Sequence, residues 1–202
     1  MKLVFMGPQG SGKGTQAKIV AEKLGISHIS TGDLIRNTKG GLKQKVDSYI
    51  NKGELIPDEL MMEILKQRIG EKDCEKGFIL DGFPRNLKQM DELEKRTNTD
   101  KIIEIDITDK EAVKRLSGRR NCVKCGRIYN ILTSPKPKKD NLCDSCKIPL
   151  NQREDDCPWA IKKRLEIYHK ETKPILKKYD AIKIDGTREI KRIAEDILKN
   201  LR

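Results

Sequence analysis

Residues 7–15 read Gly7-Pro8-Gln9-Gly10-Ser11-Gly12-Lys13-Gly14-Thr15, and this run decides the fold. It follows a short apolar segment, residues 3–6, and leads into a helical pattern of apolar positions that ends at Leu24. Strand, glycine loop and helix in that order are typical of a phosphate-binding loop. Glycines let successive backbone N–H groups converge on an anion, and the helix N-terminus adds partial positive charge. We therefore predict that the loop binds phosphate and that the Lys13 ammonium contacts the outer phosphates.

The residue after the lysine departs from the common form of this loop. A Ser or Thr usually stands there, and its hydroxyl ligates Mg²⁺. This chain has Gly14 in that place, and Thr15 follows one position later. We therefore expect phosphates, waters and carboxylates from elsewhere in the chain to hold the metal.

Length and composition limit the class of protein. The chain has 202 residues, which suits one core with inserts rather than two large domains. Its formal charge is +12, and no apolar run approaches the roughly 20 residues of a membrane helix. The first apolar run passes directly into the glycine loop, so we interpret it as a core strand and not a signal peptide, and expect a cytoplasmic protein. Six cysteines then indicate metal ligands or buried thiols before disulfides.

Apolar runs alternate with helical patterns along most of the chain, which predicts an α/β fold of three layers around five parallel strands. Two segments interrupt the alternation. Residues 30–56 read as a helical insert, and residues 118–156 have no helical period. The core is then expected to comprise residues 1–29, 57–117 and 157–202. Within it, Thr108–Glu111 reads as a helix capping box, and Pro174 should kink the helix that precedes it.

The irregular segment contains two cysteine pairs. Cys122-x₂-Cys125 and Cys143-x₂-Cys146 are separated by 17 residues. This spacing is typical of a four-thiolate Zn²⁺ site, which is closed and structural rather than catalytic. A redox pair or an iron–sulfur site would use the same residues, and another thiophilic ion could replace zinc. Cys74 and Cys157 lie outside this quartet.

A second candidate site loop is Asp81-Gly82-Phe83-Pro84-Arg85, which follows the buried run 78–80. Open parallel sheets bind ligands at the carboxyl ends of their strands. The order of motifs now resembles that of the adenylate kinase family: Gly7–Thr15, Ser30–Asp33, Asp81–Arg85, Gly118–Arg120 and Asp185–Thr187. The cysteine quartet resembles that of the zinc-bearing, long-lid branch of this family.

The resemblance implies a P-loop kinase fold, with 30–56 as the insert that binds a nucleoside monophosphate and 118–156 as a zinc-binding lid. It implies a phosphotransferase that converts ATP and AMP into two ADP with Mg²⁺. The expected ATP contacts are Gly10, Ser11, Gly12, Lys13, Gly14, Thr15, Arg119, Ile128, Tyr129 and Arg188. The expected AMP contacts are Thr31, Arg36, Glu54, Leu55, Ile56, Gly82, Phe83, Pro84, Arg85, Gln89, Arg153 and Arg164.

The same resemblance assigns the catalytic charges and the metal. Lys13, Arg85, Arg119, Arg153 and Arg164 would stabilise the transferring phosphoryl group. Asp33 and Asp81 would hold Mg²⁺ through waters. Pro158-Trp159 replaces acidic residues of the family, which leaves the stiffness of the lid hinge open.

Two alternatives belong to different classes. A kinase for UMP, CMP or GMP would share the loops, but short-lid pyrimidine kinases lack a zinc flap. A nucleic-acid-binding ATPase would account for the zinc site and the charge of +12, but not for residues 82–85 or the helical insert. We expect no nucleic acid, membrane or obligate protein partner. The choice between ATP and GTP, the oligomeric state and the working temperature stay open.

Overall fold

A computed structural model describes residues 1–37, 43–44, 46, 49 and 56–201, without the side chains of residues 36 and 37. Most of the predicted insert at 30–56 therefore lies outside the described residues. The contacts predicted for Arg36, Glu54 and Leu55 lie outside them as well.

The strands, numbered along the chain, are β1 (Lys2–Met6), β2 (Ser27–Ser30), β3 (Phe78–Asp81), β4 (Lys101–Asp106), β5 (Arg119–Asn121), β6 (Ile128–Asn130) and β7 (Ala181–Asp185). The α-helices are α1 (Lys13–Leu24), α2 (Thr31–Asn37), α3 (Asp58–Ile69), α4 (Leu87–Glu94), α5 (Asp109–Gly118), α6 (Pro158–Ile167), α7 (Ile175–Lys178) and α8 (Ile190–Asn200). Short 3₁₀ helices span Lys72–Cys74 and Glu154–Asp156, and a π-helical turn spans Tyr168–Thr172.

Five strands form one sheet in the order β2-β3-β1-β4-β7, and every neighbouring pair is parallel. The prediction of a five-stranded parallel sheet is confirmed. Because the strands are parallel, the loops that follow them emerge at one edge of the sheet. The glycine loop after β1 and the Asp81–Arg85 loop after β3 therefore lie side by side there.

The two faces of the sheet are covered by separate apolar clusters, which makes three layers. Leu3 and Phe5 of β1 point into one cluster, and Val4 and Met6 point into the other, as the two-residue period of a strand requires. Helices α1 and α8 cover the first face, and α3 and α4 cover the second. Among the described residues, no helix has both the length and the apolar character needed to cross a bilayer.

Residues 118–156 form a small unit without an α-helix beyond Gly118. Strands β5 and β6 pair antiparallel, and isolated bridges join Asn121 to Asn151 and Leu142 to Pro149. The core of this unit consists of Cys122, Tyr129, Cys143 and Leu150, which are all buried. So few apolar side chains suggest that this unit needs further support, which the cysteine quartet is placed to provide.

The predicted capping box is half correct. The Thr108 hydroxyl accepts a hydrogen bond from the Glu111 N–H at 3.3 Å. The Glu111 carboxylate, however, does not reach back to Thr108, because it accepts a bond from Arg115 Nε at 2.7 Å one turn further along α5. An ion pair spaced i,i+4 has taken the place of the second capping bond.

Candidate active site

The glycine loop between β1 and α1 has the backbone that its composition predicts. Gly7, Gly10 and Gly12 have φ values of 137°, 85° and 95°, a region that favours glycine. A Cβ on Gly7 would lie 2.2 Å from the Ile105 carbonyl oxygen, so no other residue fits there. Gly12 precedes α1 and supplies no side-chain cap. The first N–H groups of α1 can therefore bind an anion, as predicted for a phosphate loop.

Lys13 folds back over this loop. Its ammonium donates to the carbonyl oxygens of Gly7 at 2.8 Å and Pro8 at 2.9 Å. The pKa of Lys13 is lowered to about 8, mainly by burial and further by the positive charges of Arg85, Arg119 and Arg164, while Asp81 opposes the shift. The loop thus lies in a strongly positive cleft, which favours a polyanionic ligand.

Asp81 lies directly beside Gly14. A Cβ on Gly14 would lie 2.9 Å from Asp81 Oδ2, closer than real side chains approach. His28 Nε2 lies 3.5 Å from the same oxygen on its other side. The Asp81 carboxylate therefore occupies the space that a hydroxyl side chain at position 14 would need.

Arginines from separate segments line a single cleft of about 1440 Å³ together with the glycine loop. Arg85 follows β3, Arg119 begins β5, and Arg164 lies on α6. Arg153 and Arg188 line the same cleft. Burial lowers the pKa of Arg85, and nearby Arg164 lowers it further, which indicates that like charges are crowded here. A bound phosphate would relieve this repulsion, and each guanidinium could donate hydrogen bonds to two of its oxygens.

Asp156 is a functional candidate that the sequence reasoning missed. It is buried, and its carboxylate accepts bonds from Arg119 Nε at 2.7 Å and Arg119 Nη2 at 2.6 Å. Arg164 Nη2 donates to it at 3.1 Å, and Arg164 Nη1 pairs with Asp155. The acidic run 154–156, directly after Arg153, was the available signal. Asp156 holds two of the predicted phosphate-binding arginines together.

The expected AMP contacts surround the loop after β3. Thr31 is buried, and its hydroxyl donates to the Asp81 carbonyl at 3.2 Å. Gly82 has a φ of 83°, and a Cβ there would lie 2.8 Å from Thr31 Oγ1. Pro84 lines the cleft, whereas the side chain of Phe83 is buried in the core. Only the backbone of Phe83 could therefore contact a ligand.

Two other expected AMP contacts lie away from the main cleft. Gln89 Nε2 donates to Asp58 Oδ1 at 2.6 Å, and its Oε1 accepts from the Arg85 N–H at 2.7 Å. Gln89 lines a neighbouring cavity of about 420 Å³ between α3 and α4. Ile56 is half-buried and packs against the core. The AMP roles of Gln89 and Ile56 remain predictions.

The remaining predicted residues line the same cleft. Ile128 and Tyr129 of β6 line it, as does Asp33. Arg188 also lines it and forms ion pairs with Asp185 and Asp196. The expected ATP contacts thus surround one cavity.

The four predicted metal ligands come together. The Sγ atoms of Cys122, Cys125, Cys143 and Cys146 all lie within 4.8 Å of one another. A zinc ion with Zn–S bonds of about 2.3 Å places its sulfurs roughly 3.8 Å apart. Cys125 Sγ lies 3.7 Å from Cys143 Sγ, which fits such a site. The Cys146 N–H, donating to Cys143 Sγ at 3.4 Å, helps lower the pKa of Cys143 to about 6, so this thiol ionises readily.

The fold and the cleft define the class: a P-loop phosphotransferase, with the phosphate loop facing a set of arginines. The adenylate kinase family model matches residues 5–184. The adenylate kinase of Ruminiclostridium cellulolyticum is 45% identical over 213 residues, covering 100% of this chain and 99% of the relative. The adenylate kinase of Methanocella arvoryzae is 45% identical over 214 residues, covering 100% of this chain and 99% of the relative. The adenylate kinase of Archaeoglobus fulgidus is 45% identical over 209 residues, covering 98% of this chain and 96% of the relative. The chain belongs to the adenylate kinase family.

Proposed function

We infer that the chain catalyses the reversible transfer of a phosphoryl group from ATP to AMP, which yields two ADP. The observation that carries this inference is the single cleft where the phosphate loop meets arginines from separate segments. Such a cleft can hold two phosphate chains end to end. Family membership agrees with this reading.

We propose the following division of roles. The N–H groups of residues 10–15 and the Lys13 ammonium bind the ATP phosphates, assisted by Arg119. Arg85, Arg153 and Arg164 bind the AMP phosphate and the group in transfer. In phosphoryl transfer the charge lies on the phosphoryl oxygens, so catalysis consists mainly of positioning and electrostatic stabilisation. No dedicated base is assigned, because these roles do not require one.

Two ions complete the proposal. Asp81 and Asp33 would hold Mg²⁺ through waters, and the ion would supply positive charge for the phosphate oxygens. A structural Zn²⁺ would bind the four cysteines and stabilise the small unit at 118–156. Asp81 fits the first role because it lies beside both Lys13 and Gly14.

We propose that residues 118–156 act as a lid and 30–56 as a nucleotide-binding arm around the core. Closure of such arms would exclude water and so prevent hydrolysis of ATP. The chain enters the small unit at Gly118, where α5 passes directly into β5 at Arg119. We also propose a cytoplasmic location, because four cysteines are placed together as metal ligands, a use of cysteine typical of reducing compartments.

The direct test is a coupled assay of ADP formation from ATP with AMP, UMP, CMP or GMP as acceptor. We expect kcat/KM for AMP to exceed that for each other acceptor at least tenfold, which corresponds to about 1.4 kcal/mol. Incubation with ADP alone should yield ATP and AMP, as measured by chromatography. Lys13→Met protein, purified identically, controls for contaminating kinases. Turnover of UMP or CMP at the rate of AMP would reject the proposed specificity.

The pKa of Lys13 predicts a pH dependence of ATP binding. In the free protein the ammonium loses its proton near pH 8, below its ordinary value of 10.5. Bound phosphates favour the charged form of Lys13. Above pH 8, therefore, Lys13 must take up a proton when ATP binds. We expect the Kd for ATP to be about tenfold higher at pH 9 than at pH 7. Calorimetry in buffers of different ionisation enthalpy measures both Kd and proton uptake. Equal Kd values at the two pH values would contradict the shift.

A further inference from the structure

Helix α6 does not continue into α7 as a regular helix. Tyr168–Thr172 forms a π-helical turn, in which the Lys173 N–H donates to the Tyr168 carbonyl, five residues back, at 2.8 Å. Pro174 follows and has no N–H to continue the pattern. Wide turns of this kind inside helices often occur at functional sites.

The wide turn changes which residues share a face. In an uninterrupted α-helix, Arg164 and Thr172 would be separated by roughly 80° around the axis, because each residue adds about 100°. A π turn rotates the chain by less per residue, which moves Thr172 toward the face of Arg164. Both residues line the main cleft.

Thr172 uses this position to hold Arg85. Its hydroxyl donates to the Arg85 carbonyl oxygen at 2.7 Å. On the other side of the same residue, the Arg85 N–H donates to Gln89 Oε1 at 2.7 Å. Arg85 Nε donates to the Gly82 carbonyl at 3.0 Å. The side chains of Gln89 and Thr172 thus hold the N–H and the carbonyl of Arg85, respectively. Gln89 is four residues away in sequence, whereas Thr172 comes from a distant segment.

Arg85 needs such an anchor because of its surroundings. Its guanidinium is close to that of Arg164, and repulsion between these like charges favours their separation. The loop that carries Arg85 is short and begins at Gly82, which has a positive φ. The hydrogen bond from Thr172, in the turn that follows the helix of Arg164, ties the Arg85 backbone to that helix.

We propose that Thr172 is a positioning residue for phosphoryl transfer: its hydroxyl holds the Arg85 peptide, and thereby the Arg85 guanidinium, in register with Arg164. This inference rests on the proposed function, because it assigns Arg85 and Arg164 to the AMP phosphate and the group in transfer. Thr172 acts through Arg85 and is not itself catalytic.

Thr172→Val tests the proposal, since valine keeps the shape of threonine and removes the hydroxyl. We expect kcat/KM for AMP to fall about fivefold, the effect of one neutral hydrogen bond. The KM for ATP should stay within about twofold, because the bond lies on the Arg85 side of the cleft. Thr172→Ser keeps the hydroxyl and should restore activity with AMP. Thr97→Val is the matched control, because the Thr97 hydroxyl is buried and has no hydrogen-bond partner among the described residues.

A double-mutant cycle with Arg85→Ala separates positioning from a structural role. If Thr172 acts through Arg85, Thr172→Val should cause no further loss in the Arg85→Ala background. An additive loss, or a fall in melting temperature that Thr172→Ser does not restore, would overturn the proposal. Wild-type activity of Thr172→Val would overturn it too, while leaving the proposed function intact. Wild-type protein that does not phosphorylate AMP would instead reject the proposed function itself.

Discussion

Lys13→Met should reduce phosphoryl transfer by about a thousandfold or more, while the protein still folds. Removal of one preorganised donor from a developing anion typically costs a hundredfold to a thousandfold, and Lys13 also carries a full charge. Methionine has a similar length but cannot bind phosphate oxygens. The rate of ADP formation from ATP and AMP measures the effect, and calorimetry with ATP shows how much of it is lost binding.

The fold should tolerate this change because burial of the Lys13 charge costs free energy at neutral pH, which offsets its two hydrogen bonds to the glycine loop. Its folded pKa, about 8, lies below the unfolded value of 10.5, so the charged form is disfavoured in the fold at pH 7, and this cost is lost progressively as pH rises from about 8 to 10.5. We expect the melting temperature of Lys13→Met at pH 7 to equal or exceed that of the wild type. Lys23→Met, an exposed change in the last turn of α1, is the control and should stay fully active. More than a tenth of wild-type activity in Lys13→Met would contradict the assigned role.

Cys143→Ser should lower the melting temperature by roughly 10 °C and lower the rate per folded molecule much less. Cys143 is fully buried, and its Sγ also lies 3.6 Å from the Tyr129 hydroxyl. Loss of the Cys143 thiol would remove one ligand from the four-thiolate site and would also disturb the small core of Cys122, Tyr129 and Leu150. A structural zinc ion contributes roughly 10 kcal/mol or more to folding. In a chain of this size, a loss of a few kcal/mol lowers the melting temperature by roughly 10 °C.

The matched control is Cys157→Ser, since Cys157 is a free cysteine outside the quartet. It should change neither the melting temperature nor the metal content. Metal analysis of the wild type should find one zinc ion per chain, and Cys143→Ser should retain little of it. A metal-free wild type that melts at the same temperature would show that the site is not structural.

Short local sequence patterns made three features predictable: the sheet, the phosphate loop and the cysteine quartet. Alternating apolar runs specify strands, and glycines with a lysine specify the loop at residues 7–15. Two Cys-x₂-Cys pairs specify a tetrahedral site. These are local patterns, and tertiary packing did not override them.

Asp156 and the Thr172–Arg85 bond could not be predicted in the same way, because each depends on residues that are distant in sequence. Asp156 and Arg119 are 37 positions apart, and Thr172 and Arg85 are 87 positions apart. A buried carboxylate between two arginines reads in the sequence as an ordinary surface acid. Pro174 indicated that a helix is interrupted, but the wide turn before it depends on packing against the core.

The tight approach of Asp81 Oδ2 to Gly14 restricts how this loop can change in evolution. A serine at position 14 would bring in the common hydroxyl, but its Cβ would lie 2.9 Å from Asp81 Oδ2, so the carboxylate at the end of that side chain would have to move. The side chain at position 14 and the Asp81 carboxylate would thus compete for the same space beside the phosphate loop. A change from this loop to the hydroxyl-bearing form would therefore couple positions 14 and 81, because the Asp81 side chain must rotate or be shortened to make room.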